Sequence, residues 1–153
     1  MSVVNNHFAT IQAAEGEGSA QLLGDIAAAI GRCRQCALCE GRTNVVPGFG
    51  NPEARVMLIG EAPGKNEDLQ GRPFVGAAGH YLTDLLGLAG LTREDVFIAN
   101  VLKCRPPSNR DPHPDEIAIC TPFLRDQVRA IGPEFLVTMG NFSTKFILKT
   151  ERG

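Results

Sequence analysis

No stretch of the 153 residues approaches 18 consecutive apolar positions, so no bilayer-spanning helix is expected. No basic segment leads into an apolar core near the start, so no secretory signal is read there. Residues 1–30 hold no lysine or arginine. Their charges are Glu15, Glu17 and Asp25, a sum of −3, and the chain's net −2 therefore leaves +1 for the remainder. A balance this even argues nothing for or against nucleic acid. Internal repeats and low-complexity tracts are missing too. The G-x-x-x-x-G-K-[ST] spacing does not occur, which weakens a phosphate-loop reading. Five cysteines cannot all pair in one chain. Without a secretory signal they read as metal ligands or free thiols rather than a disulfide framework. The length fits one domain.

What is present centres on Arg55 to Gly79. Val56 to Ile59 is a continuous apolar run, the pattern of a strand buried on both faces. It stops in Gly60-Glu61-Ala62-Pro63-Gly64, which continues neither strand nor helix. Open α/β sheets bind ligands where a buried strand opens into such a loop. A purely structural glycine-rich loop is the plain alternative. Beyond it lie the acids Glu67 and Asp68, a lone aromatic, Phe74, and further glycines.

The other elements follow from periodicity and punctuation. Residues 1–18 read as a flexible leader. Ser19 can cap a helix over about Ala20–Ile30, stopped by Gly31. Asn44 to Pro52 reads as loop. Apolar positions Tyr81, Leu82, Leu85 and Leu88 predict a helix over about Ala77–Leu88, ended by Gly90. Val96–Val101 reads as a second strand, and the proline-rich segment after it as irregular. His113-Pro114 reads as a turn before a helix over Asp115–Ile131, and Gly132-Pro133 stops that helix. Phe135–Met139 is the third strand, and Phe142–Leu148 starts another helix. This β-α-β-α-β order implies a parallel sheet with right-handed crossovers.

Cys33-x2-Cys36 lies near the start, with Cys39 at a second x2 spacing, and Cys104 and Cys120 lie far downstream. A C-x2-C pair lets two thiolates reach one metal. Spacing alone leaves zinc and iron–sulfur level. Lys103, Arg105, Asn109 and Arg110 fall in the loop after the second strand. They suit phosphate contacts, with a solvated polar loop as the bland alternative.

Several segments together resemble one family. G-E-A-P-G-K-N-E-D with G-R-P-F-V-G-x-A-G, N-V-L-K-C-R-P-P-x-N-R and the four-cysteine pattern are similar to the iron–sulfur uracil-DNA glycosylases of family 4, the thermostable type. The likeness runs from about Cys33 to Leu148. It implies a three-layer α/β/α sandwich with a central parallel sheet, a leader plus helix over 1–31 and the glycosylase-like domain over 32–153. It also implies one 4Fe-4S cluster held by Cys33, Cys36, Cys104 and Cys120, with Cys39 outside the ligand set. The implied activity is excision of uracil from DNA, single- or double-stranded, by hydrolysis of the N-glycosidic bond, in the cytoplasm and by a monomer. The competing class is a non-catalytic iron–sulfur or zinc nucleic-acid-binding module.

On the residues, Phe74 can stack on a flipped base and the Asn100 amide can pair with O4 and N3–H of uracil. Gly60, Glu61 and Ala62 complete the expected uracil site, their backbone amides facing a developing anion. Glu61 is the first candidate to position water or stabilise the cationic sugar, with Glu67 and Asp68 behind it. The family pattern continues to a His-Pro segment. Neither His7 nor His80 lies in one, and His113-Pro114 comes at the wrong place in the chain, so a truncated chain lacking the C-terminal part of the domain is expected.

Overall fold

A computed structural model describes residues 18–152. The leader expected over 1–18 therefore lies outside the described residues except for Gly18, and so does His7. Helix α1 spans Ser19–Arg32. Gly18, not Ser19, occupies the cap position, and Gly31 does not stop the helix, which runs one residue past it to Cys33 as C-cap. Leu22, Ile26 and Ile30 form its buried stripe, the i, i+4 face expected of an amphipathic helix.

The described residues form a four-stranded sheet in the order β1-β3-β2-β4, from β1 (Phe49–Gly50), β2 (Val56–Gly60), β3 (Phe97–Asn100) and β4 (Phe135–Thr138). Strands β3 and β4 both pair parallel to β2, as the sequence order implies. Strand β1 pairs antiparallel to β3 and corrects two expectations: the sheet is not wholly parallel, and the Asn44–Pro52 segment is not all loop. Two residues carry no periodicity, so β1 leaves no signal in sequence. It exists because β3 would otherwise present an open edge.

The sheet separates two apolar layers. Met57, Ile59, Phe97, Ala99 and Val101 meet Leu124 and Ile131 of helix α5 (Pro114–Ile131) and the partly buried Phe142 and Phe146 of helix α6 (Asn141–Leu148). Leu58, Val96 and Ile98 meet Leu82 and Leu86 of helix α4 (Ala77–Leu88) on the other face. Alternation along β2 and β3 sends successive side chains to opposite layers, and both faces are covered, which explains the unbroken apolar run. The short helices α2 (Leu38–Gly41) and α3 (Lys65–Gln70) were not expected. Helix α3 has Glu67 and Asp68 in its first turn and ends at a left-handed Gly71, both standard helix signals. They are masked by the surrounding glycines.

Helix α5 starts with His113 as N-cap and Pro114 at the first helical position, one residue earlier than read from sequence, because proline is tolerated at that position. Glu116 anchors this start. Its carboxylate accepts from the His113 amide at 2.9 Å and from both Arg110 nitrogens at 2.6 and 3.0 Å. Arg110 holds the Glu116 carboxyl below its ordinary value. A depressed folded-state value stabilises above the unfolded value of about 4.3 and is lost as pH falls through the folded one. Glu116→Gln is therefore expected to cost about 1–3 kcal/mol at neutral pH. Denaturant titrations should show the gap to wild type closing below about pH 4. A variant as stable as wild type at pH 7 would show that the pair contributes nothing.

Candidate functional site

The register of β2 against β3 sets Gly60 directly beside Asn100. Pairing continues past the strand ends, with Val101 N donating to Gly60 O at 2.9 Å and Leu102 N to Glu61 O at 3.0 Å. The Gly60–Gly64 turn and the segment after β3 thus share the carboxyl edge of the sheet, as expected for a doubly wound α/β fold.

Gly60, Asn100 and Phe74 meet there. A Cβ on Gly60 would lie 2.5 Å from Asn100 Oδ1 and 2.6 Å from Phe74 Cζ, so only glycine fits between ring and amide. Asn100 is 2% exposed, and its Oδ1 is a buried side-chain atom without a hydrogen-bond partner among the described residues. An orphaned buried acceptor costs about 1–3 kcal/mol and calls for a donor that the described residues do not supply.

Phe74 is held in a left-handed conformation, φ 52°, which for a bulky residue costs of the order of 1–3 kcal/mol and persists only under external restraint. The restraints are visible. Arg93 Nη2 donates to Pro73 O at 2.6 Å and Nη1 to Phe74 O at 2.9 Å. Glu67 Oε1 accepts from Val75 N at 2.9 Å and Gly76 N at 3.0 Å. Gly79 of α4 lies under the turn, where a Cβ would come within 1.8 Å of Phe74 O.

These contacts revise the acid assignments. Glu67 binds the backbone of the aromatic loop. Asp68 is buried and accepts from the amides of Thr43 at 2.9 Å and Asn44 at 3.3 Å. Both carboxylates hold backbone, Glu67 through Oε1 and Asp68 through Oδ1, and both give way to Glu61 as catalytic candidates. Glu61 stays on it. It is half-buried, and burial, with the Asp111 carboxylate nearby, lifts its carboxyl above the ordinary value. Ala62 packs with Leu38, Leu102 and Cys104.

Lys103 is corrected as well. It is 1% exposed, and its ammonium donates to Asn100 O at 2.8 Å and Gln127 Oε1 at 2.7 Å. Gln127 Nε2 in turn donates to Pro47 O at 2.7 Å. Burial lowers the Lys103 ammonium to about 8. This lysine is an internal brace and reaches no phosphate. Arg110 is engaged with Glu116, and Arg105 Nε donates to Asn109 Oδ1 at 2.8 Å. Arg105 is half-buried and Asn109 exposed, so these two keep a solvent-facing position.

All five cysteines are free and line one cavity together with Arg42. Burial pushes the Cys120 thiol up to about 12 and raises Cys104 and Cys36 also. Arg42 Nη1 donates to Cys104 Sγ and the Lys103 amide to Cys120 Sγ, both at 3.2 Å. Among the described residues no three Cys, His, Asp or Glu side chains converge on a single point. Tetrahedral zinc needs four ligands at about 2.3 Å from one ion, whereas a polynuclear cluster needs them set apart around a body.

Fold and site together define an open α/β domain with an aromatic ring, a buried amide and a glycine gathered at the carboxyl edge of its sheet, beside a thiol-lined cavity. Residues 47–153 match the sequence profile of the uracil DNA glycosylase superfamily, and the chain belongs to that superfamily. It is 54% identical to the type-4 uracil-DNA glycosylase of Archaeoglobus fulgidus over 125 residues, 82% of this chain and 63% of the relative. The type-4 enzyme of Saccharolobus solfataricus is 52% identical over 125 residues, 81% of this chain and 58% of the relative. That of Thermotoga maritima is 46% identical over 128 residues, 84% and 67%. The chain thus spans between about half and two thirds of the length of these relatives. No helix of the described residues is long and apolar enough to cross a membrane.

Sequence reasoning missed Arg93, Arg42 and Gln127. Each lies outside the recognisable motifs, and Arg93 sits in Thr92-Arg93-Glu94-Asp95, which reads as a solvated turn. Removing the Glu67 acceptor should loosen the aromatic loop first. Glu67→Ala is expected to cost about 1–3 kcal/mol and to speed amide exchange at Val75 and Gly76 more than elsewhere. Unchanged protection at those two amides would show that Glu67 does not hold them.

Proposed function

We propose that this protein captures uracil flipped out of DNA and hydrolyses its N-glycosidic bond. The observation that carries the reading is the unpartnered, buried Asn100 Oδ1 beside the Phe74 ring and Gly60. Uracil N3–H supplies the missing donor, and its O4 accepts from the other end of the same amide. Cytosine offers an acceptor at N3 and a donor at C4, so it mismatches at both ends. Phe74 stacks on the base. Backbone amides of the Gly60–Gly64 turn stand next to the slot and receive the negative charge that develops on the departing base. Glu61, half-buried at the same turn, positions the attacking water or balances the cationic sugar.

The thiol cavity fits a 4Fe-4S cluster held by Cys33, Cys36, Cys104 and Cys120. Four cysteines lining one cavity, with N–H donors on two of the sulfurs, suit such a cluster. Its contribution is to cross-link the N-terminal segment to the ends of the loop after β3 and so fix that loop. Arg105 and Asn109 on the loop contact DNA phosphates, while Arg110 braces it from inside. The reading places the protein in the cytoplasm, where thiols stay reduced, acting as a monomer on single- or double-stranded DNA.

Anaerobically purified protein should be brown and carry about four irons per chain. Cys33→Ser or Cys104→Ser should lose the cluster and destabilise the domain, and Cys39→Ser should keep it. Stoichiometric zinc without iron would refute the cluster, and bleaching by Cys39→Ser would refute the ligand set.

The activity test is release of uracil from single-stranded DNA by the whole protein. Asn100→Asp, a carboxylate that offers only acceptors, should slow excision on the order of 10²-fold or more, as lost contacts to developing charge do. Intact DNA in that assay sinks the activity, and wild-type rate and selectivity from Asn100→Asp removes Asn100 from the slot.

A further inference from the structure

Phe74 depends on two torsion angles, and both flanking peptide planes are gripped by one side chain. The Pro73 carbonyl belongs to the plane that sets φ of Phe74, and the Phe74 carbonyl to the plane that sets ψ. The guanidinium of Arg93 donates to both, Nη2 at 2.6 Å and Nη1 at 2.9 Å. The second plane is also held at its other end, since the Val75 amide donates to Glu67 Oε1 at 2.9 Å. Arg93 is itself anchored. It lies in the turn between α4 and β3, where the Thr92 amide and hydroxyl both donate to Asp95 Oδ2, at 2.7 and 2.8 Å. Its Nη1 also reaches Thr83 Oγ1 of α4 at 3.4 Å.

A planar fork with fixed donor geometry restrains two carbonyls at once. A lysine ammonium is a point donor without that fork. The left-handed φ of 52° is one that phenylalanine leaves when nothing holds it.

We propose that Arg93 is the positioning residue for the Phe74 ring: its fork locks the strained torsions that set the ring over the slot, and so determines how tightly a flat base is gripped. The proposal rests on the uracil reading of the slot. Arg93 touches no ligand and acts through Phe74 alone.

A double-mutant cycle on the whole protein tests it. The variants are Arg93→Met, Phe74→Ala and the pair combined, with Arg93→Lys as a milder change. The probes are free uracil as a competitor and single-turnover excision from a uracil-containing single-stranded oligonucleotide. Arg93→Met should weaken uracil binding on the order of 10-fold, within what one base–aromatic stack supplies. In the Phe74→Ala background the same change should do nothing further, because the ring it positions is gone. Arg93→Lys should fall between Arg93→Met and wild type. It carries the cycle if Arg93→Met does not fold. A loss equal in both backgrounds marks Arg93 as a general stabiliser and overturns the proposal. Wild-type uracil binding by Phe74→Ala is a different failure: it removes the ring from the slot, and the uracil reading falls with it.

Discussion

The site depends on a register. Strand β2 is hydrogen-bonded on both sides, and its alignment with β3 puts Gly60 opposite Asn100. A slip of one residue would turn every side chain of the strand to the other layer. It would bury Leu58 where Met57 and Ile59 now lie and carry the glycine away from the amide. The two apolar layers prevent this, since each is filled by alternate residues of the same strands. The slot is therefore fixed by packing several residues away from it. The left-handed conformation of Phe74, whose ring packs against the α4-side layer, is held in addition by polar contacts to its backbone.

Those contacts show how the motif divides its labour. The two acids in the first turn of α3 bind backbone amides of two different loops, 43–44 and 75–76. Helix α3 thus staples the thiol-side loop to the aromatic loop. Lys103 plays the matching part on the other flank. From a fully buried position it joins the Asn100 carbonyl to Gln127 of α5, and through Gln127 to Pro47. Its own amide meets Cys120 Sγ. Slot and thiol cavity are consequently bridged by a single residue.

The long, periodic or apolar elements were legible in the sequence. Helices α1, α4 and α5 and strands β2, β3 and β4 fall within a residue or two of expectation, because apolar periodicity and glycine or proline punctuation mark them. The gathering of Gly60, Phe74 and Asn100 was legible too, since the strand order forces the two loops to one edge. What escaped was set by tertiary contact. Strand β1 has two residues, and α3 hides among glycines. An isolated acid or lysine reads the same whether it faces solvent, a substrate or a backbone amide. Glu67, Asp68 and Lys103 were misassigned for that reason, and Arg93 was invisible for it.

The strand order also bears on how the chain assembles. The first long strand made, β2, sits in the centre of the sheet, and both of its parallel partners come later, at 97–100 and 135–138. Parallel strands cannot close locally as a hairpin does. On a ribosome adding roughly 5–20 residues per second, the Val-Met-Leu-Ile run waits for seconds before β3 emerges, and longer for β4. The segment that organises the sheet is thus apolar and without its parallel partners until residues 97–100 and then 135–138 have been made. Helix α1 waits as well, since the element it packs against is α5, made after both β2 and β3.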